Sequence, residues 1–538
     1  MNHSPLPSKR RHHPLRTATR GLPSRAAGVC IAIVIGAALL AILLGAARTA
    51  FAAENDIRQP AAAGRFYPGD PAKLRAAVQR FLADAVPAAT ERPIAIVSPH
   101  AGYIYSGQIM ADAFAQARGQ AYQLVVLLGV NHTTPGFDGV SVYSGSGFRT
   151  PLGIAEIDTG AALRLVDHFP GAVLDTSVHR DEHSIEVLVP FVQVVFPGVP
   201  ILPVIVSLKD DAACARFGEI LAQSLADRKV LIVASSDLSH YPPYADARRL
   251  DRNTLQAMAS LDINRFIQVV RSQESSGLTG LSTCACGEQP VLAAMAASKY
   301  LGASAGAVVS YANSGDALVG DRDRVVGYGA VVFHGGAPRS GDQSFPRMFS
   351  HIEPAPLSPP QQRDLLNFAR KSLTQFIETE TLPLPRPADP LLFACQGAFV
   401  TLKRHGELRG CIGHMGGDLP LCHVVGRMAL QAAFNDRRFS HLKDSELEEI
   451  TIEISVLTPL RPVDGPADIV VGRDGVMLRQ SDRSAVFLPQ VATEQGWNRD
   501  EMLGHLCRKA GLSETAWKDG ASFYTFQAQV FSESWLQP

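Results

Sequence analysis

The 538-residue sequence predicts an α/β protein followed by a smaller α+β domain. Three observations predict this. Short solid apolar runs, Ile94 to Val97, Leu124 to Leu128, Ile201 to Val206, Val230 to Ala234 and Val325 to Phe333, alternate with helical patterns. Solid runs are what strands buried on both faces look like, so a central sheet covered by helices is expected over 56–334. The composition then turns to Gly, Pro and Ser between His334 and Gln361. Pro338, Pro346, Pro354, Pro356, Pro359 and Pro360 are expected to prevent regular structure there, which marks a linker over 335–356. Beyond it, helices at Gln362 to Thr379 and Glu501 to Ala510 and an alternating strand at Thr451 to Leu457 predict a separate α+β domain over 357–538.

The N-terminal elements come first in the chain. Residues 1–25 hold Lys9, Arg10, Arg11, Arg16, Arg20 and Arg25 with no acid, and 26–47 is uncharged and apolar. A run of roughly 22 residues spans a hydrocarbon core of about 30 Å as a helix. The one-sided basic flank stays in the cytoplasm, so the remainder of the chain is expected on the far side. Ala50-Phe51-Ala52 has the small-x-small form of a signal-peptidase site. The segment therefore reads as a transmembrane anchor or a signal helix removed on export. Asp70-Pro71 then reads as an N-cap with proline in the first turn, and Leu74, Val78 and Leu82 recur at i, i+4 spacing.

Composition excludes some partners. With 19% charged residues and a formal net charge of -1, the basic excess of a nucleic-acid binder is absent. The eight cysteines form no CxxC pair, which removes zinc-ribbon and thioredoxin-like readings.

Polar residues gather directly after the buried strands. Ile94 to Val97 runs into Ser98-Pro99-His100-Ala101-Gly102-Tyr103, Leu124 to Leu128 into Gly129-Val130-Asn131-His132, and Val230 to Ala234 into Ser235-Ser236-Asp237-Leu238-Ser239-His240. Ligands in open α/β sheets bind beyond the carboxyl ends of strands, so these segments are expected to share one edge. Asp181-Glu182-His183-Ser184-Ile185-Glu186 and Cys284-Ala285-Cys286-Gly287-Glu288 are expected to join them. Imidazoles with a thiolate or carboxylate suit first-row metals. Cys286 stands just ahead of the helix around Pro290, where the helix dipole is expected to lower its thiol pKa. Cys214 and Cys284 read as small buried hydrophobes.

The segments at 98–103, 181–186, 235–240 and Cys286-Gly287 with Pro290 resemble the Memo family in motif and order, over about 56–334. The resemblance implies a sandwich similar to class III extradiol dioxygenases, non-haem iron enzymes. It implies His100, His132 and Cys286 as metal ligands, with iron or copper as the ion. Asp237 and His240 are implied close by, with His240 or His183 as acid or base. Gly287-Glu288-Gln289 departs from the basic residue or histidine common there. A cysteine where the dioxygenases carry a glutamate points to a metal-dependent redox role, since fold alone does not transfer an activity. A peptide or protein binding module without catalysis is the alternative from another class, and a small-molecule or peptide substrate is expected for the redox reading.

In the second domain, Leu408-Arg409-Gly410-Cys411-Ile412-Gly413 follows a strand at Ala398 to Leu402 and a turn at His405-Gly406. Two glycines beside a cysteine are expected to let the backbone approach a ligand, and Arg409 to lower the thiol pKa. This hexapeptide, with Ala433 to Phe439, Ile452 to Leu457, Phe487 to Val491 and Cys507 to Leu512, resembles the AMMECR1 family over roughly 357–538. Cys411, Arg409 and Glu453 are the candidate residues of a cysteine-dependent transferase or hydrolase. The whole chain is similar to components A and B of the AmmeMemoRadiSam system joined together, which implies a radical-SAM protein as partner.

Overall fold

The computed structural model describes residues 56–336 and 352–535. The basic segment, the apolar run and Ala50-Phe51-Ala52 lie outside the described residues, as does 337–351 of the linker. Among the described residues, no helix is long and apolar enough to cross a membrane.

Helix α1, Pro71–Ala83, begins where the proline and its cap predict, with the Asp70 carboxylate accepting the Lys73 amide at 2.9 Å. The strands that follow are β1 (Pro93–Ser98), β2 (Leu124–Gly129), β3 (Gly139–Tyr143), β4 (Ala172–Asp175), β5 (Ile201–Ser207), β6 (Val230–Ser235), β7 (Ala305–Asn313) and β8 (Gly327–His334). They form one sheet in the order β7-β8-β1-β6-β2-β5-β3-β4. The four central strands, β1, β6, β2 and β5, are mutually parallel. Antiparallel pairs flank them, β8 on β1 and β3 on β5.

Alternation along each strand builds a core on both faces. Ala95, Val97, Leu124 and Val126 pack on one side under helices that include α3 (Asp211–Ser224), α4 (Tyr244–Ala259) and α5 (Glu288–Tyr300). Ile96, Val125 and Leu127 pack on the other under α1 and α2 (Tyr103–Ala115). Each fully buried Val, Leu or Ile contributes about 1.5–3 kcal/mol, so the apolar runs that mark the strands also drive the layering.

The last strand differs from the sequence expectation by two residues. Val325 and Val326 do not open β8. Val325 instead exchanges backbone bonds with the loop after β6, accepting from the Tyr241 amide at 2.7 Å and donating to the Pro242 carbonyl at 3.0 Å. The sheet gives up two pairs and the loop carrying His240 is held.

The prolines at the end of the linker are a second difference. Pro359 and Pro360 open helix α6 (Pro359–Thr379) at its first positions, where no intrahelical N–H is needed. Ser358 and Gln361 close a capping box ahead of them.

The second domain holds β9 (Ala398–Arg404), β10 (Glu407–His414), α7 (Leu421–Phe434) and β11 (Ile450–Leu457), then β12 (Arg461–Val463), β13 (Gly475–Gln480), β14 (Arg483–Phe487), α8 (Arg499–Lys509), β15 (Ser522–Phe526) and β16 (Ala528–Ser532). Its two four-stranded sheets run β10-β9-β11-β16 and β12-β15-β13-β14. Val400, Leu402, Ile452 and Ile454 turn one face of the first sheet into the core with α6 and α7.

The two domains pack together as one unit. Lys73 pairs with Glu380 at 2.7 Å, Arg80 with Glu378 and Lys371 with Asp84. Arg386 grips the carboxylate of Asp112, which is fully buried. Leu318 of the first domain enters the apolar core of the second.

Candidate metal centre

The adjacency of β1, β6 and β2 brings their carboxyl ends to one place. Ligand atoms of His100, His132 and Cys286 lie within 4.8 Å of one another. Cys286 Sγ is 3.3 Å from His100 Nε2. Asp237, His240 and Cys286 form a second such group, and His132, Glu182 and His183 a third. All the first-domain candidates therefore share one cluster. His183 stacks on His132 with centroids 4.9 Å apart, and the His100 and His132 rings meet edge to face at 5.2 Å.

Hydrogen bonds decide which nitrogen of each imidazole is open. His100 Nδ1 lies 2.8 Å from Ser235 Oγ, and the Ser235 hydroxyl spends its only proton on the Ser184 carbonyl at 2.6 Å. Ser235 must then accept, so Nδ1 carries the proton and Nε2 keeps its lone pair facing the sulfur. His132 Nδ1 donates to Glu182 Oε1 at 3.0 Å, which likewise leaves Nε2 open. Glu182 also accepts the amides of His132 at 2.6 Å and Ser184 at 2.8 Å. Sequence reasoning gave neither Ser235 nor Glu182 a role. The available signal was their position, one at the end of a strand beside Ser236-Asp237 and one directly before His183.

The electrostatics follow from burial. Burial pushes the His100 pKa well down, which keeps the ring neutral, and it lowers that of His183 as well. Burial also disfavours the charged form of His132, but the hydrogen bond and charge of Glu182 outweigh it and raise the pKa. Glu182 is held at about 2, because its bonds to His132 and to backbone amides overcome the cost of burial. Asp237 is raised by burial, and its carboxylate accepts the His100 amide at 2.8 Å.

Cys286 corrects the expectation drawn from its helix. Gly287 is the N-cap of α5, so Cys286 lies outside the first turn. Burial and the nearby Asp237 carboxylate push the thiol well up, opposite to the predicted direction. The Asp237 amide donates to the sulfur at 3.3 Å. Cys214 and Cys284 are fully buried as expected, and the described cysteines are all free thiols.

A saturated carboxylate fixes the loop that carries Glu182 and His183. Glu186 accepts from Arg58 at 2.7 Å, Tyr67 at 2.6 Å and the amides of Ala61 and Ala62 at 2.9 and 2.8 Å. Arg58 also donates to the carbonyls of His179 at 2.6 Å and Glu182 at 2.8 Å.

In the second domain the motif residues part company. Cys411 pairs with Thr401 across β9 and β10, and Thr401 with Glu453 across β9 and β11, so Cys411 and Glu453 share one row. Arg409 does not serve the thiol. The register shifts at this point and leaves it unmatched, and its guanidinium binds Glu446 at 2.8 and 3.0 Å. The flanking glycines make room for the protein itself, not for a ligand. A Cβ on Gly410 would lie 2.2 Å from the Ala432 carbonyl oxygen, and one on Gly413 2.2 Å from the Phe399 ring.

Two nitrogens and a sulfur converging beyond the carboxyl ends of adjacent strands place the chain among α/β proteins with a donor cluster that could hold a metal ion. The donor set fits one: both imidazoles are oriented by buried partners, and their ligand atoms lie within 4.8 Å of the sulfur. The Memo-like protein family model matches residues 58–332 and the AMMECR1 model residues 366–531. The chain belongs to the Memo family and carries an AMMECR1 domain behind it. A MEMO1 family protein of Aquifex aeolicus is 37% identical over 279 residues, covering 52% of this chain and 99% of the relative. One from Methanopyrus kandleri is 36% identical over 292 residues, with the same shares. Among solved structures, an uncharacterised protein of Pyrococcus horikoshii is 35% identical over 32% of this chain and 90% of its own, with a TM-score of 0.31.

Proposed function

We propose that His100, His132 and Cys286 hold one iron or copper ion and that the first domain is a metal-dependent redox protein. The observation that carries the reading is the pair of committed Nδ1 protons, which leaves two Nε2 lone pairs beside a thiol sulfur. A bound ion of this kind supplies one-electron chemistry or binding of dioxygen or a phenolic oxygen, as in the class III extradiol dioxygenases that the Memo resemblance implies. Around it, His183 and His240 hold or move a proton at the substrate, and Asp237 orients the His100 backbone. A sulfur ligand in place of a carboxylate favours softer, more reduced metal states.

Anaerobic titration with ferrous or cuprous ion is expected to saturate at about one equivalent and to release the Cys286 proton. Cys286→Ser removes the proton release and weakens binding. Unchanged proton release in that variant would count against the site. Peptide or protein binding that survives complete chelation would instead favour the binding-module alternative.

We further propose that the segment at 26–47 places both domains beyond the cytoplasmic membrane, as an anchor or after cleavage, and that a radical-SAM protein of the same system acts on the same substrate. Fractionation and the N-terminal sequence of the mature protein test the first point, and co-purification tests the second.

A further inference from the structure

The junction between the two domains holds a cavity of about 420 Å³ that has no part in the metal centre. Small ligands bind preferentially in cavities of this size between domains. Helix α6 supplies one side, where Asp364, Phe368 and Lys371 follow one another at the i, i+4, i+7 spacing of a single helix face. Gln108 of α2 and Asp84, directly after α1, line it from the first domain, and Leu384 and Arg386 line it from the segment after α6.

Most of the charged groups around the cavity are already engaged. Lys371 pairs with Asp84, and Arg386 grips Asp112 through both terminal nitrogens. Two polar groups are not spent. Gln108 is only 5% exposed, and its Nε2 donates to the Phe81 carbonyl at 3.0 Å and to Asp112 Oδ1 at 3.3 Å. Both of those atoms are acceptors, so the amide has one orientation. Its carbonyl oxygen then has no donor among the described residues and is not sealed in protein, which leaves it open to the cavity that Gln108 lines. Asp364 is exposed on the same cavity and has neither a hydrogen bond nor an ion pair among the described residues. Both open groups accept and neither donates. Asp84, Asp112 and Asp364 stand against Lys371 and Arg386, an excess of one negative charge.

We propose that this cavity binds a small primary amine with an apolar body, its ammonium taken up by the Asp364 carboxylate and the Gln108 carbonyl oxygen and its body lying against Phe368 and Leu384. An ammonium brings three donors and no acceptor, which suits two open acceptors and a negative excess. An anion would meet an uncompensated carboxylate, while each cation already holds a carboxylate of its own. The ligand touches both domains, so it stabilises the joined form. The site is independent of the metal centre and stands or falls separately from it.

Three probes of nearly one shape test it on the full chain: 2-phenylethylamine, 2-phenylethanol and phenylacetate. A chelator keeps the metal centre empty, so that it takes no amine nitrogen. Isothermal titration is expected to show saturable binding of the amine at one equivalent, about tenfold tighter than the alcohol, the scale of one charge-assisted hydrogen bond, with phenylacetate weaker than both. Asp364 is an exposed helix residue, so Asp364→Asn keeps the fold; it brings amine and alcohol to equal affinity, and Asp364→Glu restores the preference. Gln108→Met weakens the amine more than the alcohol. Leu384→Trp fills the cavity and abolishes binding of both, and the rise in thermal midpoint that the amine gives the wild type disappears with it. An amine bound no more tightly than the alcohol, a preference that survives Asp364→Asn, binding that survives Leu384→Trp, or no saturable binding at all would overturn the proposal.

Discussion

Ser235 and Glu182 make no claim on a ligand themselves, yet they decide which imidazole nitrogens face the centre. Ser235→Ala removes the acceptor that fixes the His100 tautomer. It is expected to weaken metal binding by about 10–100-fold while leaving the sheet intact, as measured by competition with a chelator. Glu182→Gln is expected to do the same through His132. In the second domain, the Arg409 bond holds the Glu446 carboxyl at about 2, below its ordinary 4.5. A depressed folded-state pKa adds stability that is complete above the ordinary value and is lost as pH falls toward 2. Glu446→Gln therefore lowers the thermal midpoint at neutral pH, and the gap from wild type narrows as the pH falls below about 4.5. A gap that stays constant with pH would remove Glu446 as its source. At this scale the sequence exposes which side chains meet, because ligand-bearing residues stand directly after buried strands. Which partners they choose is not legible. The Cys286 thiol was expected to be lowered and is raised, because burial outweighs a helix dipole whose first turn starts beyond Gly287. Arg409 was assigned to the thiol and goes to Glu446, because a register shift that no motif announces turns it along the sheet edge.

The elements carry the site by close approach. A Cβ on Gly287 would lie 2.2 Å from the Ser235 carbonyl oxygen. Gly287→Ala therefore forces the Cys286 turn away from the end of β6. It is expected to cost on the order of 1–3 kcal/mol in unfolding free energy and to lower metal occupancy together with it. Full occupancy in this variant would mean that Cys286 is not needed. The solid apolar runs marked β1, β2, β5 and β6 to within a residue, whereas β3, β4 and β7 were not read from the sequence. The start of β8 was not legible either, because Val325 and Val326 satisfy strand propensity while the backbone of Val325 serves the loop after His240 and that of Val326 serves Ser314. Pro359 and Pro360 were assigned to the linker for the same reason: proline breaks a helix interior and suits a helix start, and only the Ser358-Gln361 cap separates the two cases.

Across the whole molecule, ion pairs and a shared apolar contact join the domains. Asp112 is fully buried, so Arg386→Ala leaves a carboxylate without its cation and is expected to cost on the order of 3 kcal/mol at the junction. With a protease site placed in 337–351, the cut wild-type halves are expected to elute together and the Arg386→Ala halves to separate. That the sequence makes two domains was readable from the change in composition at 335–356. That they share a packed junction was not, since Lys73, Arg80, Glu378 and Glu380 read as ordinary surface charges until α6 lies on α1.

The metal content of the chain tests the central claim most directly. Elemental analysis of anaerobically purified protein spanning residues 56–538 is expected to find about one iron or copper per chain. The combined His100→Ala, His132→Ala, Cys286→Ala variant is expected to hold almost none while keeping its fold by circular dichroism. A folded triple variant that retains as much metal as wild type would contradict the account.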